Sequence, residues 1–200
     1  MAIFLRSVAA FAVLQALLLA APGTLSSPTK ALSPESCMAC ADSCDLDACH
    51  RIAIDLATTR DYTRAIAVEE RVLALRPRDP DVAAALAKMV QMGTHDTARV
   101  VRLYHEALYS APGYPPALLG LGLVMKDQGE MAIAERYFAR GARENPGQPL
   151  FKVRLAEVLI ASGRTDEARP ILQEIVSQWP GSGEADEASR MIPRTSLARP

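Results

Sequence analysis

Prolines at a fixed interval constrain the fold of this chain more than any other feature of its sequence. Pro112, Pro146 and Pro180 follow one another at intervals of 34 residues, and Pro77 precedes Pro112 by 35 residues. A constant interval of this length is typical of repeat proteins, in which a single unit cannot bury its apolar face and packs against its neighbours. The sequence therefore predicts a stack of repeats rather than one globular core.

Other residues repeat in the same phase. Gly129 and Gly163 are 34 residues apart, and so are Ala134 and Ala168. This phase defines four units, which we place at 46–79, 80–114, 115–148 and 149–182. The one longer interval requires an inserted residue in the second unit, which we expect in the turn Gly93–Asp96.

Each unit carries the apolar pattern of two short helices. In the first helix a large apolar residue precedes a small one, and these pairs are Ile52–Ala53, Leu86–Ala87, Leu121–Gly122 and Leu155–Ala156. In the second helix, Tyr104, Phe138 and Leu172 are predicted to pack against the next unit. Glu69 occupies this place in the first unit, and we expect it to weaken the first interface. The low aromatic content of 5% also favours helices over strands.

Residues at the predicted helix ends have the chemistry of caps and turns. Gly129 and Gly163 follow first helices, at a position where a positive φ is expected. Asp79 and Gln148 each precede a proline, which predicts an N-cap followed by the first helical residue.

These features resemble those of the tetratricopeptide repeat family. The stretch DYTRAIAVEERVLALRP at 61–77 is the closest match to the family pattern, and the resemblance covers residues 46–182. The aromatic residues that the family has in its first helix are missing. The resemblance implies an all-α, right-handed superhelical solenoid of antiparallel helix pairs. We expect residues 183–192 to form a capping helix and residues 193–200 to be disordered.

Residues 1–23 have the pattern of a secretory signal peptide. Arg6 precedes an apolar run from Ser7 to Ala21 that is too short to span a bilayer as a helix, and small residues favour cleavage after Gly23. We therefore expect a periplasmic or secreted protein that does not associate with the membrane after cleavage; an uncleaved anchor is the alternative. Because Arg6 is the only charged residue in this segment, cleavage changes the net charge only from −1 to −2. A nearly neutral chain lacks the positive charge of nucleic acid-binding proteins.

The four cysteines lie close together in residues 24–45 and at the start of the first repeat, at Cys37, Cys40, Cys44 and Cys49, with His50 next in sequence. In an oxidising compartment two structural disulfides are the expected state, and they would attach a short helix at about 34–43 to the first repeat. Four cysteines permit three pairings, between which the spacing does not decide.

Three other states of the cysteine cluster remain open. Four close sulfurs can hold a tetrahedral metal ion, and Cys37-x2-Cys40 can carry redox chemistry. Cys44-x4-Cys49-His50 resembles a lengthened form of the Cys-x2-Cys-His haem attachment motif. We nevertheless predict no bound metal or cofactor, because disulfides are the expected state.

The sequence has no recognisable pattern of catalytic residues. His50, His95 and His105 are scattered, and the chain contains neither a phosphate-binding glycine loop nor a His-Glu-x-x-His motif. We therefore predict that the protein is not an enzyme.

The family resemblance implies a concave groove, lined by the first helices, that accepts a peptide or a helix. In the third and fourth units the corresponding residues are Pro116, Leu119, Leu123, Lys126, Leu150, Val153 and Glu157. In the first two units they include His50, Ile54, Ala84, Lys88 and Gln91. The apolar residues in the third and fourth units favour an amphipathic helix or an extended apolar segment of another protein, unless the capping helix buries them.

Two functions follow as hypotheses. The first is an interaction scaffold or assembly factor with structural cysteines. The alternative is a redox, metal or haem-carrying protein, in which the repeats dock a partner and the segment from Cys37 to Cys49 carries the chemistry.

Overall fold

The computed structural model describes residues 32–40 and 44–196, which form helices and no strand. The predicted signal peptide lies outside the described residues. Helices in the described residues are α1 (Pro34–Met38), α2 (Leu46–Thr58), α3 (Tyr62–Leu75), α4 (Pro80–Gly93), α5 (Thr97–Ser110), α6 (Pro115–Asp127), α7 (Met131–Glu144), α8 (Pro149–Ala161), α9 (Thr165–Gln178) and α10 (Gly183–Ser196).

The helices from α2 to α9 form four antiparallel pairs stacked into a solenoid, which confirms the predicted fold class. The second helix of each pair packs against the first helix of the next pair, and α10 covers α9 and the adjacent face of α8. The short α1 packs on α3 and α2. The capping helix α10 extends to Ser196, beyond its predicted end at residue 192, so residues 193–196 are helical rather than disordered.

Aspartates start the helices of the first two units. The carboxylate of Asp45 accepts a hydrogen bond from the backbone N–H of Ala48 at 2.9 Å, which satisfies one of the unpaired donors at the start of α2. Asp61, Asp79 and Asp96 cap α3, α4 and α5 in the same way. Prolines occupy the first position of α4, α6 and α8, where no intrahelical donor is needed.

The turns within the pairs need one residue with a positive φ. Gly129 and Gly163 supply it with φ of 80° and 77°, as expected. Arg60 and His95 supply it in the first two units, with φ of 65° and 57°. These turns have equal lengths, so the inserted residue does not lie in the turn after Gly93. It lengthens α4, which has 14 residues where α2, α6 and α8 have 13.

Small residues allow aromatic rings to fill the space between helices. A Cβ atom on Gly122 would lie 2.3 Å from the ring of Phe138, which is fully buried. The same relation holds between Gly120 and the ring of Tyr104. The large-small pattern in the sequence therefore sets the spacing of the helices.

Candidate functional site

The first helices α2, α4 and α6 share a face with an open cavity of about 680 Å³. Its lining runs from His50 on α2, across α4, to Leu123 on α6, and we call this surface the groove. A smaller cavity of about 260 Å³ lies beside His95, near the C-terminal ends of α4 and α6. The groove has the size and the mainly apolar lining that are typical of binding sites.

Apolar side chains in the groove remain exposed to solvent. Ile54 of α2 is 40% exposed and Met92 of α4 is 50% exposed. Leu119 and Leu123 of α6 continue this surface and are half-buried. Because α2, α4 and α6 present the same face to solvent, residues distant in sequence form one apolar surface.

Charged groups lie at the edge where the helices begin. Arg76 donates a hydrogen bond to Asp47 at 2.5 Å, and its guanidinium lies 3.8 Å from the carboxylate of Asp79. The hydroxyl of Tyr114 donates to Asp81. Burial, and then the hydrogen bond to Asp81, raise the pKa of Tyr114, so this phenol keeps its proton.

A buried carboxylate lies beneath the groove. Glu69 of α3 is 0% exposed, and its Oε1 atom lies 2.6 Å from Nδ1 of His50. Its other oxygen, Oε2, has no hydrogen-bond partner among the described residues. The hydrogen bond to Glu69 raises the pKa of His50, and burial raises the pKa of Glu69. Glu69 therefore does not simply weaken the first interface, because it pairs with a histidine that lines the groove.

The predicted groove residues separate into two groups. Pro116, Leu119 and Leu123 line the cavity, as do the residues predicted for the first two units, which are His50, Ile54, Ala84, Lys88 and Gln91. Leu150 is half-buried and lies outside the cavity lining, and so do Lys126 and Glu157. The groove thus lies in the first three units rather than in the third and fourth.

Burial and ion pairs explain why the groove does not extend into the fourth unit. Val153 is fully buried in a cluster with Ala188 of α10, so its assignment to the groove surface is wrong. Glu157 accepts hydrogen bonds from Lys126 at 3.1 Å and from Arg154 at 2.5 Å. The capping helix therefore buries one predicted contact residue, and an ion-pair network occupies two others.

Part of the groove lining was not predicted from the sequence. Met92 lies four residues after Lys88 on α4, so helical spacing could have identified it. Tyr62 and Tyr104 belong to second helices, and Arg76 belongs to an inter-repeat turn. No local pattern indicates that these three residues approach the groove.

The cysteines lie in two pairs within the N-terminal segment. The Cα atoms of Cys37 and Cys49 are 5.6 Å apart, and those of Cys40 and Cys44 are 6.1 Å apart, both within the usual range for disulfides. Arg71 of α3 also donates a hydrogen bond to the carbonyl oxygen of Cys40 at 2.6 Å. These contacts attach α1 to the first pair of helices.

Neither a metal site nor a membrane span is evident in the part of the chain that the structure describes. No group of three or more His, Cys, Asp or Glu side chains there has the arrangement of a metal site. Within the same residues, every helix is too short or too polar to cross a bilayer.

A family model matches the C-terminal part of the repeat region. Residues 126–192 match the tetratricopeptide repeat family. No curated protein gives a match to the chain. The segment 61–77, which has the strongest local resemblance, lies outside the matched residues.

Solved structures match a larger part of the chain. The thermophilic protein TTC0263 of Thermus thermophilus superimposes with a TM-score of 0.64 at 21% identity, over 76% of this chain and 82% of that one. MamA from Desulfovibrio magneticus RS-1 gives a TM-score of 0.59 at 17% identity, over 69% and 78%. YrrB, described as a repeat protein with an unusual peptide-binding site, gives 0.58 at 17% identity, over 78% and 87%. The chain therefore has a tetratricopeptide repeat fold, with a family match over residues 126–192 and a cysteine-rich segment before its first repeat.

Proposed function

We propose that this protein is an interaction scaffold or assembly factor that binds a helix or an extended peptide of another protein in the groove. The observation that carries this proposal is the open cavity of about 680 Å³ on the first helices. Its solvent-exposed Ile54 and Met92 would be covered by an apolar partner. Covering them removes apolar area from water, which favours association.

The chemistry of the groove favours binding over catalysis. Its aspartates are held at one edge by Arg76 and Tyr114, away from the exposed Ile54 and Met92. The peptide-binding site described for YrrB supports a peptide ligand, because the two proteins share a fold. We also propose export to the periplasm or the cell exterior, since residues 1–23 have a signal-peptide pattern and paired cysteines suit an oxidising compartment.

The alternative redox, metal or haem function has less support. In the haem hypothesis Cys44 and Cys49 would bond to the haem, whereas in the structure Cys44 is paired with Cys40 and Cys49 with Cys37. The cysteine sulfurs lie in two pairs, rather than in one cluster around a central site. We therefore assign the cysteines a structural role within this proposal.

The proposal is tested by selecting ligands and then blocking the groove. Peptides selected from a phage-displayed random library on the wild-type protein should bind Met92→Glu at least about tenfold more weakly, because the new carboxylate would be desolvated against an apolar ligand. Leu123→Glu should have the same effect on binding. Dissociation constants and melting temperatures should be measured together, since Leu123 is half-buried.

Tyr109→Glu is the matched control. Tyr109 is 84% exposed on the second helix α5, and it lies outside the groove lining. This variant should bind the selected peptides like the wild type. Equal binding by Met92→Glu and wild type, at equal melting temperature, would refute the groove as the binding site.

A further inference from the structure

His50 is a polar group in the mainly apolar groove, and one of its ring nitrogens is already occupied. Nδ1 lies 2.6 Å from Oε1 of Glu69, which is completely buried. The His50 side chain is 22% exposed and lines the groove, and Nε2 is its ring nitrogen without a bond to Glu69. The pair therefore fixes the orientation of the ring, with Nε2 available to a ligand.

The hydrogen bond to Glu69 also determines what Nε2 can do. In the doubly protonated pair, one proton lies between Nδ1 and the carboxyl group, and the other is on Nε2. The Nε2–H group is then a donor, whichever of the two groups holds the shared proton. When one proton is lost, Glu69 is an anion that accepts from Nδ1–H, and Nε2 becomes an acceptor. A change in pH therefore converts the exposed atom from a donor to an acceptor.

Acidic groups surround this imidazole on several sides. Charged groups that act on the ring include Glu69 from α3, Asp79 and Asp81 from the start of α4, and Asp47 from its own helix, which is bonded to Arg76. Lys88 of α4 is a cation elsewhere in the groove lining. The only charged residue of α1, Glu35, instead pairs with Arg64 at 3.6 Å. The acidic surroundings favour the donor form of Nε2 and repel a carboxylate ligand.

We propose that Nε2–H of His50 is the polar anchor of the groove, where it donates a hydrogen bond to a backbone carbonyl of the bound peptide, and that Glu69 acts as a positioning residue for it. This inference rests on the proposed function. A carbonyl fits better than a carboxylate, because it accepts a hydrogen bond without adding negative charge beside Asp79 and Asp81. An apolar segment can therefore be held in one register by a contact that is independent of its side chains.

The state of the ring can be tested without a ligand. Nitrogen NMR of the protein, which has 3 histidines, should show a pKa for His50 that is higher in the wild type than in Glu69→Gln. An equal His50 pKa in the two proteins would overturn the role of Glu69. This measurement does not depend on the proposed function.

Peptide affinity then tests the anchor. Dissociation constants of a peptide selected on the wild type should rise by about tenfold between about pH 6 and about pH 9, as Nε2 loses its proton. Glu69→Gln should move this transition to lower pH. His50→Gln should bind without the transition, because an amide does not titrate in this range.

The outcomes separate the two proposals. Peptides that bind in the groove with the same affinity at all pH values would overturn the anchor and leave the proposed function intact. A pH transition that persists in His50→Gln would assign it to another group and also overturn the anchor. Failure to select any peptide that Met92→Glu weakens would refute the proposed function, and the anchor with it.

Discussion

At the scale of single residues, Glu69 departs from the repeat pattern, and its tertiary contacts change what this departure means for packing. Its position in the repeat calls for a large apolar or aromatic residue, and a carboxylate there predicts a poor interface. The structure instead places His50, from the preceding helix, within hydrogen-bonding distance. The pair satisfies one carboxylate oxygen, and Oε2 has no hydrogen-bond partner in the part of the chain that the structure describes. The stability of the pair therefore depends on the protonation of both groups.

The stability of the protein should depend on pH through the pair of His50 and Glu69. The pKa values of both His50 and Glu69 are raised in the folded protein, from ordinary values of 6.5 and 4.5. At pH values above these ordinary pKa values, the folded state therefore binds more protons than the unfolded state. The free energy of unfolding should therefore fall as pH rises through the folded-state pKa of His50. Urea denaturation at a series of pH values should show this decline on the alkaline side of 6.5.

Glu69→Gln should remove the contribution of this pair to the pH dependence. Glu70→Gln is the matched control, because it makes the same change at the adjacent, exposed residue, which pairs with Arg99. Identical pH dependence in the two variants would contradict the assignment to Glu69.

At the scale of elements, the N-terminal helix α1 depends on its contacts with the first pair of helices. It has only 5 residues, too few for an isolated helix to be stable in water. Cys37 is nearly fully buried against the first pair, and Arg71 contacts the carbonyl of Cys40 from α3. The helix is therefore held by its attachment points more than by its own hydrogen bonds.

The element-scale prediction concerns these attachment points. Peptide mapping under non-reducing conditions should identify Cys37–Cys49 and Cys40–Cys44 disulfides, which are the pairs in the structure. Replacing both Cys37 and Cys49 by serine should lower the unfolding free energy by about 2–3 kcal/mol, because the bond closes the longer loop. The same change at Cys40 and Cys44 should cost less, since their positions differ by only 4 in sequence and the closed loop is shorter. Four free thiols, a bound metal or a haem adduct would contradict the pairing.

At the scale of the repeat region, stability is distributed along the stack. One buried cluster spans the first three pairs and reaches α8, and a second joins α8, α9 and α10. Because each pair contacts only its neighbours, damage at one end should remain local. The groove and the capping helix lie in different parts of this stack, so they can be perturbed separately.

Ala188 provides the test at this scale. It is fully buried on α10, so Ala188→Arg should force the capping helix away and destabilise the C-terminal cluster by about 2–4 kcal/mol. Hydrogen exchange should accelerate in α8, α9 and α10, while α2 to α5 keep their protection. Ser189→Arg makes the same change at the adjacent exposed position and should leave exchange unchanged. Uniform loss of protection along the chain would contradict the local description.

The sequence by itself determined the helical pairs, their number and their phase. Prolines, capping aspartates and turn glycines act within a few residues of their own position, so their effect does not depend on distant contacts. Large-small pairs such as Leu121–Gly122 then indicate which faces meet. These local rules also placed Pro116, Leu119 and Leu123 on the first-helix face.

Only the tertiary structure decided which part of that face is open. Val153 and Leu119 occupy the same place on successive first helices, 34 residues apart, but α10 buries the cluster around Val153 while Leu119 lines the groove. The partner of Glu69, the pairing of the cysteines and the approach of Tyr104 to the groove were likewise set by the stacking of helices. These features depend on contacts between residues that are distant in the chain, and side-chain burial is determined only when the neighbouring helices are in place.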